Sequence, residues 1–139
     1  MKNYFCELKV SNRGYKGYNG LYVRLYVNGV LGGSAGGGGY DMAGTCFGEW
    51  LNTNFVDKLN KLADKEIKEM KGNDKEYNDT GAGIYGLIVS KDESGEVKAR
   101  ASGGTGKEQM FKIIEALGGK AEQVRNKKGD WLAKYIITL

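Results

Sequence analysis

The sequence predicts an α+β domain in which an antiparallel sheet carries two helices packed on one face, and three observations predict it. Leu21 to Val27 alternates Leu21, Val23, Leu25 and Val27 with Tyr22, Arg24 and Tyr26, the period-two pattern of a half-buried strand. Phe47, Leu51, Phe55, Leu59 and Leu62 recur at steps of three and four, with Trp50 beside them, as on an amphipathic helix. A glycine-rich segment running from strand into helix occurs twice, as Ser34 to Asp41 and, 67 positions later, as Ala101 to Glu108. The same offset carries Ala43, Cys46, Phe47 and Trp50 onto Met110, Ile113, Ile114 and Leu117. One domain over residues 1–139 is expected, with internally duplicated ββα units at about 20–70 and 84–118.

The elements follow in order. Tyr4 to Val10 places Tyr4, Cys6, Leu8 and Val10 on one side of a first strand. Ser11 to Gly20 reads as a loop, and Leu21 to Val27 as the second strand. Asn28-Gly29 is a strong two-residue hairpin signal, because a type I′ turn needs positive φ at both central positions. Val30 to Ala35 returns as a glycine-rich third strand. Asp41 is suited to cap a long helix reaching about Met70, and Lys71 to Gly83 reads as a polar linker. Ile84 to Val89 and Glu96 to Ser102 form the next hairpin, with Val97, Ala99 and Ala101 inward and Lys98 and Arg100 outward. A helix over about Lys107 to Leu117 ends at Gly118-Gly119. Ala121 to Arg125 and Trp131 to Leu139 close the chain, for seven strands in all.

Composition narrows the chemistry. No histidine is present, which removes the commonest general base, Ser–His and Cys–His pairs and His-ligated zinc. No pair of carboxylates stands in a context that nominates it for acid–base work, so binding is a better expectation than catalysis, and no cofactor is indicated. Cys6 and Cys46 lack a CxxC spacing and read as buried reduced thiols. No run approaches the roughly 18 apolar residues of a membrane-spanning helix, and the first residues lead straight into a strand pattern. A cytoplasmic location is expected. The net charge of +4 is uneven: +4 over residues 1–40, −3 over 41–90 and +3 over 91–139. Basic sheet-forming segments beside an acidic long helix point to phosphate-bearing partners on the sheet side.

Two groups of residues are candidates for binding. Gly36, Gly37, Gly38, Gly39 and Tyr40 form the first glycine loop, and Gly103, Gly104, Thr105, Gly106 and Lys107 the second. Glycine lets backbone N–H groups turn toward an anion without a Cβ in the way, and Lys107 would add a point charge for a phosphate. A tight strand-to-helix crossover would need the same glycines with nothing bound. The P-loop pattern fails here, since Ala101 and Glu108 stand where it wants glycine and a Mg²⁺-binding hydroxyl. The second group is Tyr22, Arg24 and Tyr26, with Lys98 and Arg100 and support from Lys9 and Lys134. Aromatics interleaved with cations can stack bases and neutralise phosphates. The same residues suit a homo-oligomer interface.

Gly36 to Thr45, continuing through Phe47-Gly48-Glu49-Trp50-Leu51, resembles a motif in short uncharacterised proteins of phages and prophages of low-GC Gram-positive bacteria. Gly103 to Met110 and Ala116-Leu117-Gly118 are also similar to segments of those proteins. The resemblance implies a small accessory or anti-defence factor of the host cytoplasm that works by binding, and nothing specific about the ligand. Taken with the glycine loops, the expected role is a non-enzymatic anti-defence inhibitor that sequesters a phosphorylated small molecule or occludes a host defence protein. The resemblance carries no catalytic residues. A nucleic-acid-binding protein using the Tyr/Arg/Lys face is the alternative.

Overall fold

A computed structural model describes residues 1–11, 20–37, 42–69, 83–84, 87–91, 94, 96–101 and 106–139. β1 (Asn3–Ser11) pairs on one side with β2 (Leu21–Val27) and on the other with β8 (Trp131–Thr138). β3 (Val30–Gly37) lies beyond β2, and β7 (Lys120–Arg125) beyond β8, so the five-stranded antiparallel sheet runs β3-β2-β1-β8-β7. The β2–β3 turn is the one that Asn28-Gly29 predicts, with φ of 51° and 83°. Asn28 also ties the turn to β1: its Oδ1 accepts from the Phe5 N–H at 2.9 Å, and its N–H donates to the Phe5 carbonyl at 2.8 Å.

The domain is α+β and antiparallel, as expected, but the described residues hold three helices, and their strands divide between two sheets. β4 (Gly83–Ile84), β5 (Leu87–Lys91) and β6 (Val97–Ala101) form a separate sheet in the order β4-β5-β6. The stretch read as one strand over Ile84 to Val89 is two strands, so the described residues hold eight. The second hairpin does not extend the first sheet, whose edge strands are β3 and β7. The free edge of β3 is covered by a helix, α1 (Met42–Asn54), whose Glu49 carboxylate accepts from the Ser34 N–H at 3.0 Å.

The long helix expected from Asp41 to Met70 is interrupted at Phe55, where α1 gives way to α2 (Val56–Glu69). The cause is local. The Thr53 hydroxyl donates to the Glu49 carbonyl at 2.9 Å, and the Asn54 amide to the Trp50 carbonyl at 3.0 Å. These side chains compete for the acceptors that the helix ladder would use, which bends a helix. Phe55 then turns its ring edge-on to Tyr4 and Trp50. The last helix, α3 (Lys107–Ala116), ends as predicted: Gly118 has φ 88°, its N–H donates to the Glu115 carbonyl, and the Gly119 N–H donates to that of Ile114.

The core lies between the helices and the inner face of the five-stranded sheet. Cys6, Leu8, Val23, Leu25, Val27, Tyr135 and Ile137 come from the sheet, Phe47 and Leu51 from α1, Leu59 from α2, and Met110, Ile113 and Ile114 from α3. Phe47 sits at its centre, edge-on to Phe111 and Tyr135. Burying one such side chain is worth about 1.5–3 kcal/mol. α1 approaches β3 so closely that a Cβ on Gly33 would stand 2.4 Å from the Cys46 carbonyl oxygen. Both thiols are core groups: burial pushes Cys6 up to about 12 and, with the Glu49 charge, Cys46 up to about 11. The Cys46 Sγ donates to the Val23 carbonyl at 3.4 Å.

Candidate nucleic-acid interface

The inner residues of the five-stranded sheet are fixed by alternation, and so are the outer ones. On β1 the outward set is Phe5, Glu7 and Lys9; on β2 it is Tyr22, Arg24 and Tyr26; on β8 it includes Lys134 and Ile136. Antiparallel register lines them up across the strands. Arg24 stands between Ser34 and Lys9, Tyr26 between Leu31 and Glu7, and Glu7 faces Lys134. Phe5 is opposite Ile136, which is opposite Glu122. None of the described helices covers these residues: Phe5 remains 48 % exposed, Tyr22 46 %, Leu31 53 % and Ile136 43 %.

The aromatic groups are held in place. The Lys9 ammonium lies 4.7 Å from the centre of the Tyr26 ring, a cation–π contact that orients both. The Tyr22 ring lies over Gly36, where an added Cβ would stand 3.0 Å from the ring. Gly36 therefore links the two candidate groups, since it provides the seat on which Tyr22 rests. This role was not legible in the glycine run. It follows only from the pairing of Tyr22 with Gly36.

The face is basic. Lys9, Arg24, Lys120 and Lys134 point outward against the carboxylates of Glu7 and Glu122. Glu122 is engaged by Lys120 at 2.6 Å, in an exposed pair. Lys9 and Arg24 form no ion pair among the described residues. A flat surface with exposed rings and cations a few ångströms apart can stack planar groups and hold their phosphates.

The other predicted residues are placed differently. Gly37 pairs with Leu21 at the end of β3, while Gly38, Gly39, Tyr40 and the cap residue Asp41 lie outside the described residues. So do Gly103, Gly104 and Thr105. Gly106 is the N-cap of α3, with extended φ and ψ of −66° and 166°. The Lys107 ammonium donates to the Gln123 side-chain carbonyl at 3.2 Å. Lys98 and Arg100 belong to β6, so they do not extend the Tyr22–Arg24–Tyr26 face, which belongs to the other sheet. Arg100 is exposed, and Ala99 and Ala101 point inward as expected. Phe5, Leu31 and Ile136 are the residues the sequence reading did not single out. Phe5 had a signal, since Tyr4, Cys6 and Leu8 facing inward leave it facing outward. Among the described residues no group of three or more Cys, Asp or Glu converges as a metal site. Compared with known proteins, the chain matches no family model, no curated protein and no solved structure.

Proposed function

We propose that this protein works by binding, and that the outward face of its five-stranded sheet takes single-stranded nucleic acid. One observation carries the reading: Tyr22, Tyr26 and Phe5 are presented among Lys9, Arg24 and Lys134 on a sheet face that none of the described helices covers. Open sheets with aromatic side chains bind single strands by stacking, at roughly 1–3 kcal/mol per base. A duplex hides its base faces and would gain only the charge contribution. The resemblance to phage proteins gives this binding a setting: an accessory factor in the host cytoplasm that counters a defence by occupying a nucleic acid the defence needs.

The test is fluorescence anisotropy with a labelled oligo-dT or oligo-U of about 12 nucleotides, longer than the roughly 4 that the smallest single-strand sites cover. The expected result is single-strand binding that falls about thirtyfold or more in the double variant Tyr22→Ala/Tyr26→Ala. Affinity should fall with salt at a logarithmic slope of about −2 for three phosphate contacts, shallower in Lys9→Ala/Arg24→Ala. Equal affinity for duplex and single strand, or no change in the tyrosine variant, would sink the proposal. A dimer dispersed by Phe5→Ser, with no nucleic-acid affinity, would assign the face to a second copy of the chain.

A further inference from the structure

We infer that a second site, for a small planar ligand carrying an anionic group, lies between α3 and the β7–β8 hairpin, and a mononucleotide has the chemistry it fits. A cavity of about 470 Å³ opens there, with Trp131, Phe111, Ala121, Gln123 and Lys107 in its lining. That volume is in the range of small-molecule sites, which are mostly apolar with a few placed polar groups.

Trp131 is the first reason. It is 57 % exposed, whereas Trp50, the other tryptophan, is 3 % exposed in the core. The Arg125 guanidinium stacks 3.7 Å from the centre of the Trp131 ring, so the exposed indole is held in one orientation. Phe111 is fixed as well, edge-on to Phe47 and Tyr135. Two restrained rings lining one cavity, with small Ala121 between the polar groups of β7, favour a planar guest.

The polar groups supply the second reason. The Gln123 amide donates to the Leu132 carbonyl at 2.8 Å, which fixes its side chain, and its oxygen accepts from Lys107. The ammonium is thus kept at the cavity, 6.0 Å from the centre of the Tyr135 ring. Of the two carboxylates in the lining, Glu122 is engaged by Lys120, and Glu108 is exposed. The Lys107 ammonium, placed in the same lining as the two rings, suits a phosphate attached to the planar group. The site is on the helix side of the sheet, because alternation along β8 puts Trp131 on the same side as Tyr135. It does not depend on the outward face.

Tryptophan emission reads this site directly, since Trp50 is buried. Adenosine monophosphate should quench the emission saturably, with a dissociation constant below about 1 mM. Adenosine and ribose phosphate, each carrying half of the recognised chemistry, should bind about tenfold more weakly. Lys107→Met should erase the preference for the monophosphate over adenosine, and Tyr26→Ser on the outward face should leave all of it unchanged. Quenching that stays linear to about 10 mM would overturn the inference. So would a phosphate preference that survives Lys107→Met. Because these ligands and variants differ from those that test the outward face, either proposal can fail alone.

Discussion

Two hairpin-and-helix segments of this chain, β2–β3–α1 and β5–β6–α3, are secured by different means. In the first, the helix packs on its own hairpin: α1 lies on β3, bare backbone at Gly33 lets them meet, and Glu49 takes the N–H of Ser34 at the sheet edge. In the second, α3 packs on α1 and β7, and β6 is covered by α1 and α2. The Asn52 side chain accepts from the Ala101 N–H at 2.6 Å and donates to its carbonyl at 3.0 Å, as a neighbouring strand would. Asn60 accepts from the Ala99 N–H at 2.7 Å. A strand edge needs its polar groups satisfied wherever it is covered. One unit meets that need from within its own sequence, and the other borrows asparagines from α1 and α2.

The largest effect should come from breaking the contact within the first unit. Gly33→Ala would put a methyl group against the Cys46 backbone, which cannot rotate away, and α1 would have to lift off β3. Overpacking of that kind costs about 3 kcal/mol or more, read as a lower midpoint in urea unfolding. An unchanged midpoint would mean that α1 is not seated on β3 in solution.

Next comes the borrowed edge. Asn52→Ala leaves the N–H and carbonyl of buried Ala101 without their partner, at a cost of about 2 kcal/mol. Glu49→Ala, at the exposed edge of β3, should cost about 0.5 kcal/mol. Hydrogen exchange would separate the two: Asn52→Ala should speed exchange at Ala101 more than Glu49→Ala speeds it at Ser34. The reverse ranking would contradict the asymmetry described above.

Alkali offers a third comparison, because both cysteines lie under the first sheet and none in the second unit. Burial raises the folded pKa of Cys6 from 9.0 to about 12. Between those values the folded state holds a proton that the unfolded state has lost, so the stability is intact below pH 9 and declines as pH rises toward 12. Cys6→Ala should flatten that decline by about 3 kcal/mol near pH 11, measured as the difference between variant and parent unfolding midpoints. An identical slope in both would show that the thiol titrates as if exposed.

What the sequence discloses follows the same division. Periodicity and turn chemistry are local, so β1, β2, the Asn28-Gly29 turn, the end of α3 at Gly118 and the last hairpin could all be read from residues near one another. Choice of strand partner is not local. Nothing in Val97 to Ala101 says that its neighbours would be Asn52 and Asn60, about 40–50 positions earlier, so one sheet was expected where there are two. The break at Phe55 depends on which way Thr53 and Asn54 turn their side chains. For the candidate surface, Tyr22, Arg24 and Tyr26 were legible from alternation, whereas Gly36 beneath Tyr22 and Ile136 beside Phe5 needed the register. Trp131 reads as an ordinary strand residue until the cavity beside it is seen.

The smallest expected effect tests the seam between the units. Gly48 of α1 faces the second unit, and a Cβ there would meet the Met110 sulfur at 3.5 Å and the Ala101 Cβ at 3.7 Å, both ordinary contacts. Unlike the Gly33 contact, this one has room for a methyl group. Replacing glycine by alanine inside a helix recovers up to about 1 kcal/mol of backbone entropy, and the added contacts are neutral to favourable. Gly48→Ala should therefore raise the unfolding midpoint slightly, by about 0.5 kcal/mol. The same substitution, fifteen residues apart, would then destabilise one face of α1 and stabilise the other. A loss at Gly48 as large as that at Gly33 would mean that α1 meets the second unit as tightly as its own hairpin, and the asymmetry between the units would be gone.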